Sequence, residues 1–368
     1  MMKFICERDT IMKEISVAQE IISSKNSMSI LSNVLLDARD EALTIRATDL
    51  RVSFETRIPV EVSEAGTTTV FCEKLLGILR SLPSGDVEFE LGEGNSFAIR
   101  PVFKKINFEL KGIESDKFPE IQLAADDQYF ELSQAAFIDM ISQTIFAVSD
   151  DETRYFMNGV YMENLDGDLV MVATDGRRLS YIKKTPDAPM KEFQGVIIPP
   201  KVLNLIKKLA SGEGTFSLAV TEKNLFVQFD NQRISSALIE GQFPNYRRVI
   251  PDEQKYRILV KKDELLEALK RVSLLVEKSR RIYVELGAEV MTLSSEETEV
   301  GVAREEISCE YEGPEEKIAL NYMYLLEPLR VIDTGDIAIQ FSEPNRAISI
   351  YSNPEKDYFH IVMPMQLD

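Results

Sequence analysis

Apolar and polar positions along this chain follow two rhythms, and the pair of rhythms returns three times in the same order. A short alternating stretch comes first, then a stretch with apolar residues three and four apart. The first copy is Met2-Lys3-Phe4-Ile5-Cys6, followed by Ile11, Ile15, Ala18 and Ile22. The second is Tyr129-Phe130-Glu131-Leu132, followed by Phe137, Ile141 and Ile145. The third is Tyr256-Arg257-Ile258-Leu259-Val260, followed by Leu265, Leu269, Val272 and Val276. Alternation predicts a strand packed on one face, and three-four spacing predicts an amphipathic helix. The helices are expected over Thr10–Ser23, Gln134–Val148 and Glu264–Glu277, with Asp9, Ser133 and Asp263 as N-caps.

Three further landmarks accompany each copy. A strand–turn–strand signal reads Leu43-Thr44-Ile45-Arg46-Ala47-Thr48-Asp49-Leu50 and then Leu169-Val170-Met171-Val172-Ala173-Thr174-Asp175-Gly176, with a degenerate copy at Met291–Glu296. A second helix is predicted to stop at a glycine: Glu73 to Gly85, Pro200 to Gly212 and Asn321 to Gly335. A late hairpin closes at Phe118-Pro119 and Phe243-Pro244, and the third copy ends in Ile361-Val362-Met363-Pro364-Met365. Four ordered landmarks at near-constant spacing make this a threefold repeat of roughly 120 residues. The expected fold class is α+β, with antiparallel sheets and two helices per domain. Domain boundaries are placed at 1–125, 126–252 and 253–368, with linkers near Leu123–Asp127 and Pro251–Lys255.

Composition narrows the function. The 368 residues contain no run of 18 apolar residues, and the start lacks the pattern of a secretory signal, so no membrane partner is expected. Cys6, Cys72 and Cys309 are few, odd in number and far apart, which points to a reducing, cytoplasmic setting without disulfides. Lys plus Arg total 42 against 61 Asp plus Glu, a net charge of −19. A chain this acidic repels phosphate as a whole, so any surface for nucleic acid must be a local basic lining.

Catalysis has little to stand on. His360 is the one histidine and lies in a strand pattern. No phosphate loop, dinucleotide turn, nucleophile elbow or C-x-x-C occurs. Asp166-Gly167-Asp168 lacks the other positions of a calcium loop and reads as a hairpin turn. No enzyme activity, cofactor or metal is expected.

Several segments together resemble the bacterial DNA polymerase sliding-clamp family, the polymerase III beta subunits, over essentially the whole chain. They are Ser29-Ile30-Leu31-Ser32-Asn33, with serine where proline is usual, and Ala47-Thr48-Asp49-Leu50. Arg154-Tyr155-Phe156-Met157-Asn158-Gly159, Val172–Leu179, Phe243–Pro251 and Val362–Leu367 complete the series. The resemblance implies the DNA clamp fold. Two chains would close head to tail into a homodimeric ring, with helices lining the hole and sheets outside. The implied function is a processivity factor that slides on duplex DNA without reading sequence. It would tether the replicative polymerase, the clamp loader and other clamp-motif proteins.

The same resemblance assigns residues. A peptide-binding pocket would use Arg154, Met157, Thr174, Gly176, Arg177, Arg178, Leu179, Pro244, Arg248 and Val249, joined by Asn321, Tyr324, Ala347, Ile361, Met363, Pro364 and Met365. Flexible, polarizable methionines suit a pocket that accepts varied partners. For DNA, Lys25, Tyr155 and Phe156 match family positions near the hole. Lys74, Arg80, Lys201, Lys207 and Lys208 lie on or near the lining helices. Phosphate contact needs only such cations, although a solvated helix face is an equal reading for each. Glu73, Pro200 and Asp150-Asp151 replace basic or neutral residues of some members and thin that lining, and Arg177 stands where histidine is usual. Ring closure would pack Phe108 and Leu110 near Leu274 and Leu275, with acidic Glu296-Glu297-Thr298-Glu299 and Glu305-Glu306 facing Lys74 or Lys104-Lys105. A repeat scaffold that binds peptides without encircling DNA is the second reading, favoured by the charge. An enzyme built on unrecognised carboxylates is a distant third.

Overall fold

The computed structural model describes residues 2–22, 29–122, 124–125, 128–186 and 189–367. Lys25, the end of the first predicted helix and part of the first linker lie outside the described residues. The chain divides into two compact units: residues 1–131 with 215–237, and residues 132–214 with 238–368.

The first unit holds two antiparallel sheets. One runs Glu61–Glu64, Met2–Glu7, Asp86–Leu91, Ser96–Pro101, Phe108–Lys111. The other has eight strands: Phe130–Ser133, Thr215–Val220, Asn224–Phe229, Gln232–Ala237, Val52–Pro59, Ala42–Thr48, Asn33–Arg39 and Gly66–Phe71. Helices α1 (Arg8–Ile21) and α2 (Cys72–Ser81) bury Ile11, Ile15, Leu75 and Leu79 in a core with Phe4, Phe89 and Phe97. Phe4 stacks on Phe89 at 4.8 Å between ring centres. The alternation that predicts the first strand is the cause: Met2, Phe4 and Cys6 point inward, and Lys3, Ile5 and Glu7 do not.

The second unit carries one twelve-stranded antiparallel sheet and helices α3 (Gln134–Thr144), α4 (Pro200–Leu209), α5 (Lys262–Val272) and α6 (Tyr322–Val331). Strand Arg178–Lys184 pairs with Tyr358–Val362 in mid-sheet, setting Leu179 opposite Ile361. Residues remote in sequence thus share one face.

Several predicted helix ends need correction. Glu7, not Asp9, caps α1, its carboxylate accepting from the Thr10 amide at 2.8 Å. Asp263 lies inside the first turn of α5 rather than before it, where its charge favours the helix N-terminus. Ser133 caps α3 as expected. The α3 and α5 patterns pass into single 3-10 turns, Ile145–Ala147 and Ser273–Leu275.

The second helices stop at Ser81, Leu209 and Val331, before the expected glycines. Those loops have another use. The first amide of α1 donates to the Gly85 carbonyl at 3.0 Å, that of α3 to Gly214 at 2.9 Å, and that of α5 to Gly335 at 3.0 Å. Each repeat therefore satisfies an otherwise orphaned helix-start donor with the loop after its second helix.

Candidate functional site

The Thr-Asp turns noticed in the sequence have the same internal wiring. Thr48 Oγ1 accepts from the Leu50 amide at 3.0 Å, and Asp49 Oδ1 accepts from the Arg51 and Val52 amides at 2.9 and 2.7 Å. Thr174 Oγ1 accepts from Gly176 at 3.1 Å, and Asp175 Oδ1 accepts from Arg177 and Arg178 at 2.9 and 3.1 Å. The middle residue is left-handed in both, with φ of 74° at Leu50 and 87° at Gly176. Glycine adopts that conformation freely, whereas leucine does so at a cost.

The second turn forms the edge of an apolar cleft of about 280 Å³. Met157, Thr174, Gly176, Arg177, Arg178, Leu179, Pro244, Val249, Ile361 and Met363 line it, all expected from the sequence. Asn245 and Tyr246 line it as well and were missed. Leu179, Ile361 and Tyr246 also belong to the buried cluster beneath, so the floor is packed from below. Val249 and Met363, roughly half exposed, stand at the rim. Both also line a neighbouring cleft of about 730 Å³ with Arg248 and Ala347.

Of the remaining predicted pocket residues, Arg154 reaches the edge of the cleft. Arg154 is held by Asp151, with Nε 2.8 Å from Oδ2. Its guanidinium passes close over Gly176, where a Cβ would come within 2.9 Å of Nη1. Hydrogen bonds from Thr153 and Arg154 hold the Asp151 carboxyl down at about 2. Asn321 caps α6, accepting from the Met323 amide at 3.0 Å. Met365 donates its amide to the Ala319 carbonyl at 2.8 Å, anchoring the segment that carries Pro364.

Arg178 joins cleft to helix. Its guanidinium pairs with Asp175 at 3.1 Å and with Glu327 of α6, and donates to the Phe146 carbonyl at 2.6 Å. Its carbon centre lies 4.6 Å from the Tyr324 ring centre. A planar fork makes all these contacts at once, which an ammonium cannot.

Tyr246 was hard to find because its partner comes from a distant strand. Glu163 accepts from the Tyr246 hydroxyl and from Arg247, each at 2.5 Å, and from Tyr161 at 3.2 Å. Tyr161 stacks on Phe243 at 4.8 Å, pinning the Phe-Pro-Asn-Tyr segment to the sheet. Gly195 is required beside it, because any Cβ there would collide with the Tyr161 hydroxyl. The FPNYRR string is the available signal for Tyr246; nothing local points to Glu163.

His360 takes no part in a polar site. It is fully buried, with Nδ1 3.0 Å from Ser180 Oγ, and burial followed by the Arg178 charge lowers its pKa to about 3. Asp166 and Gly167 have positive φ and connect paired strands, so Asp166-Gly167-Asp168 is the expected hairpin turn.

The cations expected at DNA are exposed: Lys74 and Arg80 on α2, and Lys201, Lys207 and Lys208 on α4 opposite buried Val202, Leu203 and Ile206. Tyr155 is exposed and meets Phe156 edge-on at 5.8 Å. Phe108 and Leu110 are half-buried against the first unit's core. Leu274 is exposed and Leu275 half-buried after α5.

Three family models match the chain in succession: the DNA polymerase III beta subunit N-terminal domain over residues 2–122, the central domain over 131–245 and the C-terminal domain over 247–366. The chain belongs to the DNA polymerase III beta subunit family. The beta sliding clamp of Treponema pallidum is 45% identical, covering 100% of both chains. That of Borreliella burgdorferi is 31% identical, covering 99% of this chain and 98% of its own. Among solved structures, the Bacillus subtilis sliding clamp matches with a TM-score of 0.95 at 26% identity over 100% of both chains. A Pseudomonas aeruginosa sliding clamp bound to griselimycin matches with a TM-score of 0.94 at 28% identity, again over 100% of both. The fold is therefore three beta-clamp domains, and the function is that of a DNA polymerase processivity factor, not an enzyme. Among the described residues no helix is long and apolar enough to cross a membrane.

Proposed function

We propose that two copies of this chain close head to tail around duplex DNA, and that the cleft beside Gly176 captures short linear motifs of the proteins it tethers. The observation that carries the second half is the cleft itself: a preformed apolar floor of Leu179, Ile361 and Met157 under a rim of Arg177, Val249 and Met363. One aliphatic anchor buried there is worth about 2 kcal/mol, and the exposed cations at the rim suit a peptide's polar groups. The replicative polymerase, the clamp loader and other clamp-motif proteins are the proposed occupants. Arg154, Asn321, Tyr324, Pro364 and Met365 are the proposed further contacts for the same motifs. The proposed domain boundaries are 1–125, 126–252 and 253–368, and the proposed location is the cytoplasm.

For DNA, the net charge of −19 requires that contact be confined to a local lining. Lys74, Arg80 and Lys201, with Lys25, Tyr155 and Phe156, are its proposed members. The test is retention after loading onto circular DNA and loss when that DNA is cut. Equal retention on circular and linear DNA would sink the ring. The same charge favours the alternative of a peptide-binding scaffold off DNA. A stable monomer with intact peptide binding would select that reading.

A further inference from the structure

The cleft beside Gly176 has sulfur in both its floor and its rim, and the two sulfurs meet water differently. Met157, in the floor, is 5% exposed, whereas Met363, at the rim, is 43% exposed. Met363 is the most exposed methionine among the described residues; every other is buried or half-buried. Its backbone is fixed, since the Met363 amide donates to the Arg177 carbonyl at 2.8 Å. The exposed thioether is thereby held at the mouth of the cleft.

The cysteines offer an oxidant far less. Cys6, Cys72 and Cys309 are free thiols, and all are buried. Burial pushes the Cys6 and Cys72 thiols up to about 12 and raises Cys309 as well. A thiol reacts as its thiolate, so protonated and enclosed thiols are inert. Methionine carries no such requirement, because a thioether has no proton to lose. Of the sulfur atoms among the described residues, that of Met363 is the one an oxidant in water meets first.

Met363 also occupies a sensitive place. It lines the apolar cleft with Leu179 and Ile361, and the neighbouring cleft with Arg248 and Ala347. As a thioether it offers a soft apolar surface to an incoming side chain. As a sulfoxide it would carry a polar oxygen that accepts hydrogen bonds. Covering that oxygen with an aliphatic anchor leaves it unpaired, which costs binding. Arg177 and Arg248 are exposed at the same rim and carry the N–H groups that would satisfy the oxygen in water, away from the apolar floor.

We propose that Met363 is a reversible oxidation site that switches the cleft between a peptide-binding thioether form and a weakly binding sulfoxide form. This rests on the reading of the cleft as a site for short linear motifs. With hydrogen peroxide as oxidant, a sulfur lone pair attacks one peroxide oxygen, the O–O bond breaks and a sulfur–oxygen bond forms. The displaced hydroxide takes up the proton of the transferred hydroxyl and leaves as water. Sulfur loses an electron pair and the peroxide gains it. The return step needs a reductase that spends a pair of thiols, which become a disulfide while the oxygen leaves as water. Met157 lies shielded in the floor, so the change is confined to the rim.

The test treats the full chain with hydrogen peroxide and maps the added oxygen by peptide mass spectrometry. A short fluorescent peptide with a leucine and a phenylalanine anchor is then titrated. Met363 is expected to gain its oxygen before any other methionine or cysteine among the described residues, with unchanged circular dichroism. The dissociation constant is expected to rise about tenfold. Methionine sulfoxide reductases for both epimers, supplied with dithiothreitol, are expected to restore it. Met363→Leu, read against its own untreated constant, is expected to change less than about twofold on treatment, since leucine has no sulfur to oxidise. Oxygen appearing first on another of these residues overturns the site. A Met363 sulfoxide that binds as tightly as the thioether overturns the switch. So does an equal loss in Met363→Leu, or a loss that the reductases do not reverse. All of these leave the peptide-binding cleft standing. An untreated chain that does not bind the peptide overturns the cleft reading and the switch together.

Discussion

The Arg178 guanidinium lies 4.6 Å from the centre of the Tyr324 ring and pairs with Glu327 one turn further along the same helix. One side chain of the Thr-Asp turn thereby fixes α6 against the cleft. Arg178→Ala is expected to cost about 3 kcal/mol, because Glu327 and the Phe146 carbonyl lose a largely buried partner. Arg178→Lys should recover only part, since it keeps the charge but loses the planar fork. Denaturant unfolding of the three proteins checks the order.

Gly176 is left-handed and lies under Arg154. Gly176→Ala is expected to lower stability by about 1 kcal/mol through backbone strain. It should also weaken clamp-motif peptides several-fold by lifting Arg154 off the cleft edge. Titration of a fluorescent peptide measures the second effect. An unchanged affinity would remove this edge from the site.

Met363→Ala combined with Met365→Ala is expected to weaken the same peptide at least about tenfold, by loss of rim contact area, while the chain's solution mass stays the same. Peptide titration alongside light scattering separates the two outcomes.

Leu50 occupies the position that glycine holds in the second Thr-Asp turn, and its side chain is exposed. Leu50→Asn is expected to stabilise the protein by about 1 kcal/mol, since asparagine tolerates a left-handed backbone and little burial is lost. Thermal melting gives the sign directly.

His360 is buried and neutral, with its pKa lowered from 6.5 to about 3 by burial and then by Arg178. The unfolded chain takes up a proton near pH 6.5 and the folded chain does not. Stability from this group is therefore complete above 6.5 and falls as pH drops towards 3. Between pH 6.5 and 5 the loss should be about 2 kcal/mol. His360→Gln should flatten that part of the profile in denaturant titrations.

The hydrophobic rhythm determined much of this protein without any structure. Alternation in Met2–Cys6 and three-four spacing in α1, α3 and α5 are local properties, because side-chain direction follows the backbone period. The Thr-Asp turns were legible for the same reason: donor and acceptor lie within three residues. Helix ends were less so. Glu7 outcompetes Asp9 as a cap, and the glycines after the second helices serve the first helices instead.

Tertiary structure alone decided which distant strands adjoin. Pairing Leu179 with Ile361 carries the C-terminal methionines to the Thr-Asp turn and makes the cleft floor. Glu163 under Tyr246, and Glu327 with Phe146 around Arg178, likewise come from remote segments. Backbone periodicity fixes which face a side chain takes, but strand partners are chosen by burial summed over the whole sheet, and no local window holds that sum.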